Sequence, residues 1–141
     1  MSEVFVFDSG ALGGLAENDV RMRQLLWNIA RDGGTVRVPS VVLAECYGDA
    51  RHNARYDRAL NALGGTGRVV VDVSAAVAKV AGRILRAARS TETIDALVVA
   101  TAVVLSPLAT VVTADQRHVE RLAGSAPGRI AVIQLNQLPA S

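Results

Sequence analysis

The chain opens on a block of apolar residues, Val4-Phe5-Val6-Phe7, that stops on a carboxylate, Asp8, and passes through Ser9-Gly10 into Ala11-Leu12. Four consecutive β-branched and aromatic residues predict a buried strand, and Ser9-Gly10 predicts a turn into a helix. Met22, Leu25, Leu26, Ile29 and Ala30 then recur at helical spacing, which predicts a helix over 18–31 with Asn18 as its N-cap and Asp32-Gly33-Gly34 beyond its end. Thr35–Val38 predicts a second strand. Ser40 is then the expected cap of a helix from Val41 to about Gly48 that is apolar almost all round except for Glu45. Over 53–63, Tyr56, Ala59, Leu60 and Leu63 share one face of an amphipathic helix whose outer face carries Arg51, Arg55 and Arg58.

Gly64-Gly65-Thr66-Gly67 has the composition of a phosphate loop but the wrong context. A phosphate cradle needs a strand-to-helix turn with helix N–H groups aimed at the anion, whereas here a helix precedes and a strand follows. The stretch reads as a helix-ending turn. Arg68–Val73 predicts the third strand, and Ser74 caps a helix with Val77, Val80, Ala81, Ile84, Leu85 and Ala88 on one face. Residues 94–105 are rich in β-branched side chains, yet their length, three alanines, Thr93 as cap and Pro107 beyond the end predict a buried helix with Asp95 in its first turn. Thr110–Thr113 predicts a fourth strand leading to Ala114-Asp115. A short helix with Val119, Leu122 and Ala123 follows, then a fifth strand from Arg129 to Leu135.

Strands and helices alternate throughout, which predicts an α/β fold with a parallel sheet of roughly five strands and helices on both faces. At 141 residues the expectation is a single domain over 1–135 with a loose tail at 136–141. No apolar run reaches the ~18 residues of a transmembrane helix. The first residues carry Glu3 and no basic region, which argues against a secretory signal. Cys46 is the only cysteine, so neither an intramolecular disulfide nor a thiolate zinc site is expected, and a cytoplasmic protein away from membranes is the reading.

Four carboxylates stand out by position. Asp8 and Asp115 follow strands, Glu45 sits in an apolar helix, and Asp95 opens the helix leading toward the fourth strand. Singly, helix capping, a favourable helix dipole or a solvated face explains each. Together they are harder to explain, because capping does not account for a glutamate embedded in Val41-Val42-Leu43-Ala44. Carboxylates gathered without basic partners repel and resist ionisation unless a cation joins them. Oxygen-only ligands select Mg²⁺ or Mn²⁺, and such a site activates water for hydrolysis of phosphodiesters. The chain carries 15 bases, all arginine except Lys79, against 13 acids. Committing four acids to a cation leaves a basic surface around an acidic hole, which favours a polyanion.

Phe5–Leu12, Val38–Glu45, Thr93–Ala100 and Val111–Asp115 resemble the four acidic blocks of the PIN-domain family, in the family's order, and most resemble its bacterial VapC-type toxins. The resemblance implies a metal-dependent endoribonuclease, usually a homodimer, held inactive by a cognate antitoxin whose C-terminal segment wraps it. By resemblance the antitoxin contact falls in the groove lined by the first helices. The implied catalytic and metal residues are Asp8, Glu45, Asp95 and Asp115, with Thr113 as a hydroxyl behind them. Many relatives carry a further acid or amide soon after the last aspartate, where this chain has Gln116-Arg117-His118. Whether one metal or two bind, and whether Asp115 ligates directly, therefore stays open.

Arg51 and Arg55 are the candidates to follow an RNA backbone. With two Phe, two Tyr and one Trp, base stacking is not expected to dominate recognition. His52 and His118 are expected at the surface rather than on a metal, and Cys46 as a small core residue. A phosphoacceptor receiver domain would need a lysine after its last strand, and Lys79 lies in a predicted helix. A haloacid-dehalogenase-type phosphatase needs an acid where Gly10 stands. The remaining rival is a non-catalytic PIN-like module that binds RNA or protein.

Overall fold

The structure is a computed structural model in which residues 3–114, 116–135 and 138 are described. Most of the predicted tail, 136–137 and 139–141, lies outside the described residues, as does Asp115. Among the described residues, five strands form one sheet: β1 Val4–Phe7, β2 Thr35–Pro39, β3 Val70–Val71, β4 Ala109–Thr113 and β5 Ala131–Gln134. Every pairing is parallel and the spatial order is β3-β2-β1-β4-β5. Val6 in β1 stands opposite Arg37 in β2 and Val111 in β4. Parallel strands buried on both faces read as continuous apolar runs rather than as alternation, and this is the pattern of Val4–Phe7 and Ala109–Thr113.

Eight helices connect the strands among the described residues: α1 Ser9–Ala16, α2 Val20–Arg31, α3 Ser40–Cys46, α4 Ala50–Ala62, α5 Thr66–Val69, α6 Ala75–Ala88, α7 Thr93–Leu105 and α8 Gln116–Gly124. The chain moves from β1 outward to β2 and β3, then crosses back past β1 to β4 and β5. Right-handed crossovers put α1–α5 on one face and α6–α8 on the other. The contacts agree: α1 packs on α2, α3 and α4, while α6, α7 and α8 pack on one another. The reversal falls between β1 and β4, so the loops leaving these neighbours diverge to opposite faces and open a crevice at the carboxyl edge of the sheet. Asp8 follows the first of these strands directly.

The core lies on both sides of β1 and β4. Val6, Phe7, Val111 and Val112 are wholly buried, with Leu12, Met22 and Val42 on one side and Ile84, Val98 and Val99 on the other. The β-branched segment is the helix α7, apolar all round because it lies between the sheet and its neighbours α6 and α8. Its one buried hydroxyl, Thr101 Oγ1, donates back to the Leu97 carbonyl at 2.7 Å, so burial leaves no orphan.

Several boundaries differ from those expected. Ser9 and Gly10 belong to α1, because Asp8 caps that helix and starts it earlier. The cap of α2 is Asp19, whose carboxylate accepts from Arg21 N–H and also pairs with the Arg21 guanidinium, while Asn18 takes a left-handed conformation, φ 64°, in the link from α1. Ser40 and Thr93 are the first helical residues rather than caps, and neither preceding residue makes a side-chain cap bond. Ser74 caps α6 as expected, its Oγ accepting from Val77 N–H at 3.1 Å. Gly64 and Gly65 end α4 with positive φ, but Thr66 and Gly67 start the one-turn α5, which shortens the third strand to two residues at the sheet edge.

Candidate metal centre

Asp8 is anchored from three sides. Its backbone N–H bonds the Val112 carbonyl at 3.1 Å, continuing the β1–β4 ladder one residue past the strand. Its carboxylate accepts from Ala11 N–H at 2.9 Å, which caps α1, and also from the Thr113 hydroxyl and the Ala114 N–H. The residue is only 4% exposed. Burial pushes its carboxyl above the usual carboxylate range, and the Glu45 charge adds to that rise; the bonds from Thr113, Ala11 and Ala114 oppose it. Asp8 is therefore both a helix cap and a carboxylate kept close to acidic neighbours.

The close approach of the loop after β4 depends on Gly10. A Cβ at that position would overlap the Ala114 side chain. The absence of a side chain in the first turn of α1 lets the β4 loop lie against it, which brings the Ala114 amide to Asp8.

Glu45 projects from the last turn of α3 and is exposed. The residues after it hold that end in place. The Tyr47 hydroxyl donates to Asp57 in α4 at 2.7 Å, and the Tyr47 and Tyr56 rings pack with centroids 5.7 Å apart. Cys46 is half-buried, its sulfur 4.0 Å from the Ser9 carbonyl. Burial pushes its thiol up, which disfavours the thiolate. Asp95 lies half-buried in the first turn of α7.

Asp8, Glu45 and Asp95, from three separate elements, line one open cavity of about 800 Å³, together with Ser9, Gly10, Glu92, Ala114, Arg117 and His118. Thr113 stands behind Asp8, fully buried, with its hydroxyl on the carboxylate. Asp115, the fourth acid expected here, lies outside the described residues; its neighbours Ala114, Arg117 and His118 reach the cavity. Arg51 and Arg55 lie on α4, the first exposed and the second half-buried, and neither is among the described residues lining the cavity.

Two lining residues that could ligate a metal, Glu92 and His118, were not expected. Glu92 precedes α7 in a polar loop, where the sequence makes an acid look like surface, and only its i, i+3 spacing from Asp95 signals a shared side of the helix. His118 is exposed, as expected for a surface histidine, yet one of its ring nitrogens lies within 4.8 Å of carboxylate oxygens of both Glu92 and Asp95.

The donor set suits a hard divalent cation. Asp8, Glu45 and Asp95 offer carboxylate oxygens, and the deepest of them is one whose ionisation burial disfavours. A dication held there would favour that ionisation, its charge opposing both the desolvation and the neighbouring carboxylate.

A family model described as PIN domain matches residues 5–124. No curated protein matches the sequence. Among solved structures, a chain of FitAB bound to an IR36 DNA fragment superposes with a TM-score of 0.67 at 19% identity, covering 96% of this chain and 97% of that one. A chain of VapBC2 from Rickettsia felis, bound to a DNA fragment from their promoter, superposes with a TM-score of 0.63 at 17% identity, covering 93% of this chain and 99% of that one. At these identities the likeness is one of fold.

Proposed function

Because this chain belongs to the PIN-domain family, we propose that it is a divalent-metal-dependent endoribonuclease that hydrolyses RNA phosphodiester bonds and acts as the toxin of a toxin–antitoxin pair. One observation carries the reading: Asp8, Glu45 and Asp95 come from three elements to one cavity at the reversal point of a parallel sheet. Asp115, next along the chain from the Ala114 that lines this cavity, completes the proposed set of four.

In this reading those four acids hold Mg²⁺ or Mn²⁺, which when bound makes water a better nucleophile at neutral pH and offsets charge on the phosphate. The chain's own contribution is to hold the acids ready. Asp8 keeps one orientation through Ala11, Thr113 and Ala114, so little reorganisation is needed when a substrate arrives. Arg117 is the arginine lining the cavity among the described residues, and it supplies a positive charge for a phosphate at the rim. Beyond the cavity, Arg51 and Arg55 are proposed to follow the RNA backbone.

The proposed partner is a cognate antitoxin, with a homodimer as the proposed assembly; the likeness to FitAB and VapBC2 chains accords with the first. A groove of about 630 Å³ beside α2 supports an antitoxin contact near the first helices. Trp27 stands 60% exposed there, with the Arg31 guanidinium 5.0 Å from its ring centroid.

The test is cleavage of total RNA by the purified chain with Mg²⁺ or Mn²⁺, against EDTA and an Asp8→Asn variant purified the same way. The expected result is products that appear with metal and vanish in both controls. Cleavage that persists in Asp8→Asn would sink the mechanism, and failure to bind either metal would favour a non-catalytic binding module.

A further inference from the structure

Glu92, Asp95 and His118 each present one ligand atom, and the three atoms lie within 4.8 Å of one another. Ligands bound to one cation at about 2.0–2.2 Å stand roughly 3–4 Å apart, so small rotations of the exposed Glu92 and His118 side chains bring the group to coordinating distance. The backbone beneath them is well supported. Glu92 immediately precedes α7 and stands three residues before Asp95 in its first turn, and α8, in which Val119 and Leu122 are 0% and 1% exposed, packs on α7. His118 is therefore held next to an anchored residue and faces the same cavity as Asp8 and Glu45.

We propose that Glu92, Asp95 and His118 bind a divalent cation at the outer edge of the cavity, with His118 as a nitrogen ligand. This inference rests on the metal-dependent reading of the cavity and extends it to two residues outside the four acids. Its chemical consequence is selectivity. Mg²⁺ keeps to oxygen ligands, whereas an imidazole strengthens binding of first-row transition ions. The outer position therefore favours Mn²⁺ over Mg²⁺, while the all-carboxylate floor formed by Asp8 and Glu45 accepts either.

The experiment is Mn²⁺ titration of the full chain, read by calorimetry and by pulsed electron paramagnetic resonance, in which a nitrogen bound to Mn²⁺ gives ¹⁴N modulation. The variants are His118→Gln and Glu92→Gln, with His52→Gln as the control for the other histidine, which pairs with Asp49 on α4. The expected result is ¹⁴N modulation in the native chain and in His52→Gln, lost in His118→Gln. Mn²⁺ affinity should fall about tenfold or more in His118→Gln and Glu92→Gln, since even groups that only orient a metal's ligands change affinity by 10- to 100-fold. Mg²⁺ affinity should fall less in His118→Gln than Mn²⁺ affinity does.

Mn²⁺ binding without ¹⁴N modulation, modulation that survives His118→Gln, or unchanged Mn²⁺ affinity in both variants overturns the outer site. Each of these leaves the carboxylate nuclease standing, because Asp8, Glu45 and Asp95 can then hold the ion alone. Absence of any Mn²⁺ binding overturns both readings.

Discussion

Asp8 carries two roles that oppose each other in energy. As a cap it supports α1 through Ala11 N–H, and as a buried acid beside Glu45 it resists ionisation. The sign follows from linkage. Its folded pKa is raised above 3.8, so the folded chain holds this proton more tightly than the unfolded chain does. Ionised Asp8 therefore works against folding above its folded pKa, and the penalty is relieved as pH falls through that value. Asn keeps the cap acceptor and removes the charge. Without metal, Asp8→Asn should melt at a higher temperature than the native chain at neutral pH, with the difference shrinking in mild acid. An unchanged or lowered melting temperature at neutral pH would contradict this account. Loss of metal binding with a gain in stability is the trade expected of a site built from like charges.

At the scale of elements, the site depends on how closely α1 meets the loop after β4. Gly10→Ala would drive a methyl into the Ala114 side chain, and neither group can swing aside as the end of a long side chain does. Overpacking of this kind costs about 1–3 kcal/mol. The expected outcome is a lower melting temperature together with weaker Mn²⁺ binding, because the displaced loop carries the Ala114 amide that bonds Asp8. The same fall in melting temperature with unchanged metal affinity would show that the loop does not position the carboxylate. By its local context Gly10 is a turn residue; its use as a point of contact between α1 and a distant loop has no local signature.

Across the whole molecule, a cation that binds the folded chain must stabilise it. At a free concentration one hundred times Kd the gain is about 2.7 kcal/mol, seen as a rise in melting temperature on adding Mn²⁺ that is smaller in Asp8→Asn, where the outer site alone remains. The basic surface outside the cavity has its own test. Arg51 and Arg55 occupy the first turns of α4, away from the cavity lining, so Arg51→Ala and Arg55→Ala should weaken RNA binding and flatten its dependence on salt without changing metal affinity. RNA affinity that stays the same in both would remove α4 from the binding surface. No described helix is long and apolar enough to cross a membrane.

The parallel α/β fold, and the places along it of three acids that line one cavity, were legible in the residue pattern alone. Val4–Phe7, Thr110–Thr113 and the apolar helix containing Asp95 carry their periodicity and burial in their own side chains, and each acid falls at the end of an element or inside an apolar one. Caps were less legible. Asp19 rather than Asn18 starts α2, and Ser40 and Thr93 lie inside their helices, because residues that can cap stand next to one another and the path of the entering chain selects between them. That Glu92 and His118 share the cavity with Asp8 and Glu45 comes from packing between distant elements. Their side chains are polar and exposed, so no local hydrophobic pattern marks them, and their meeting follows from the packing of α7 against α8.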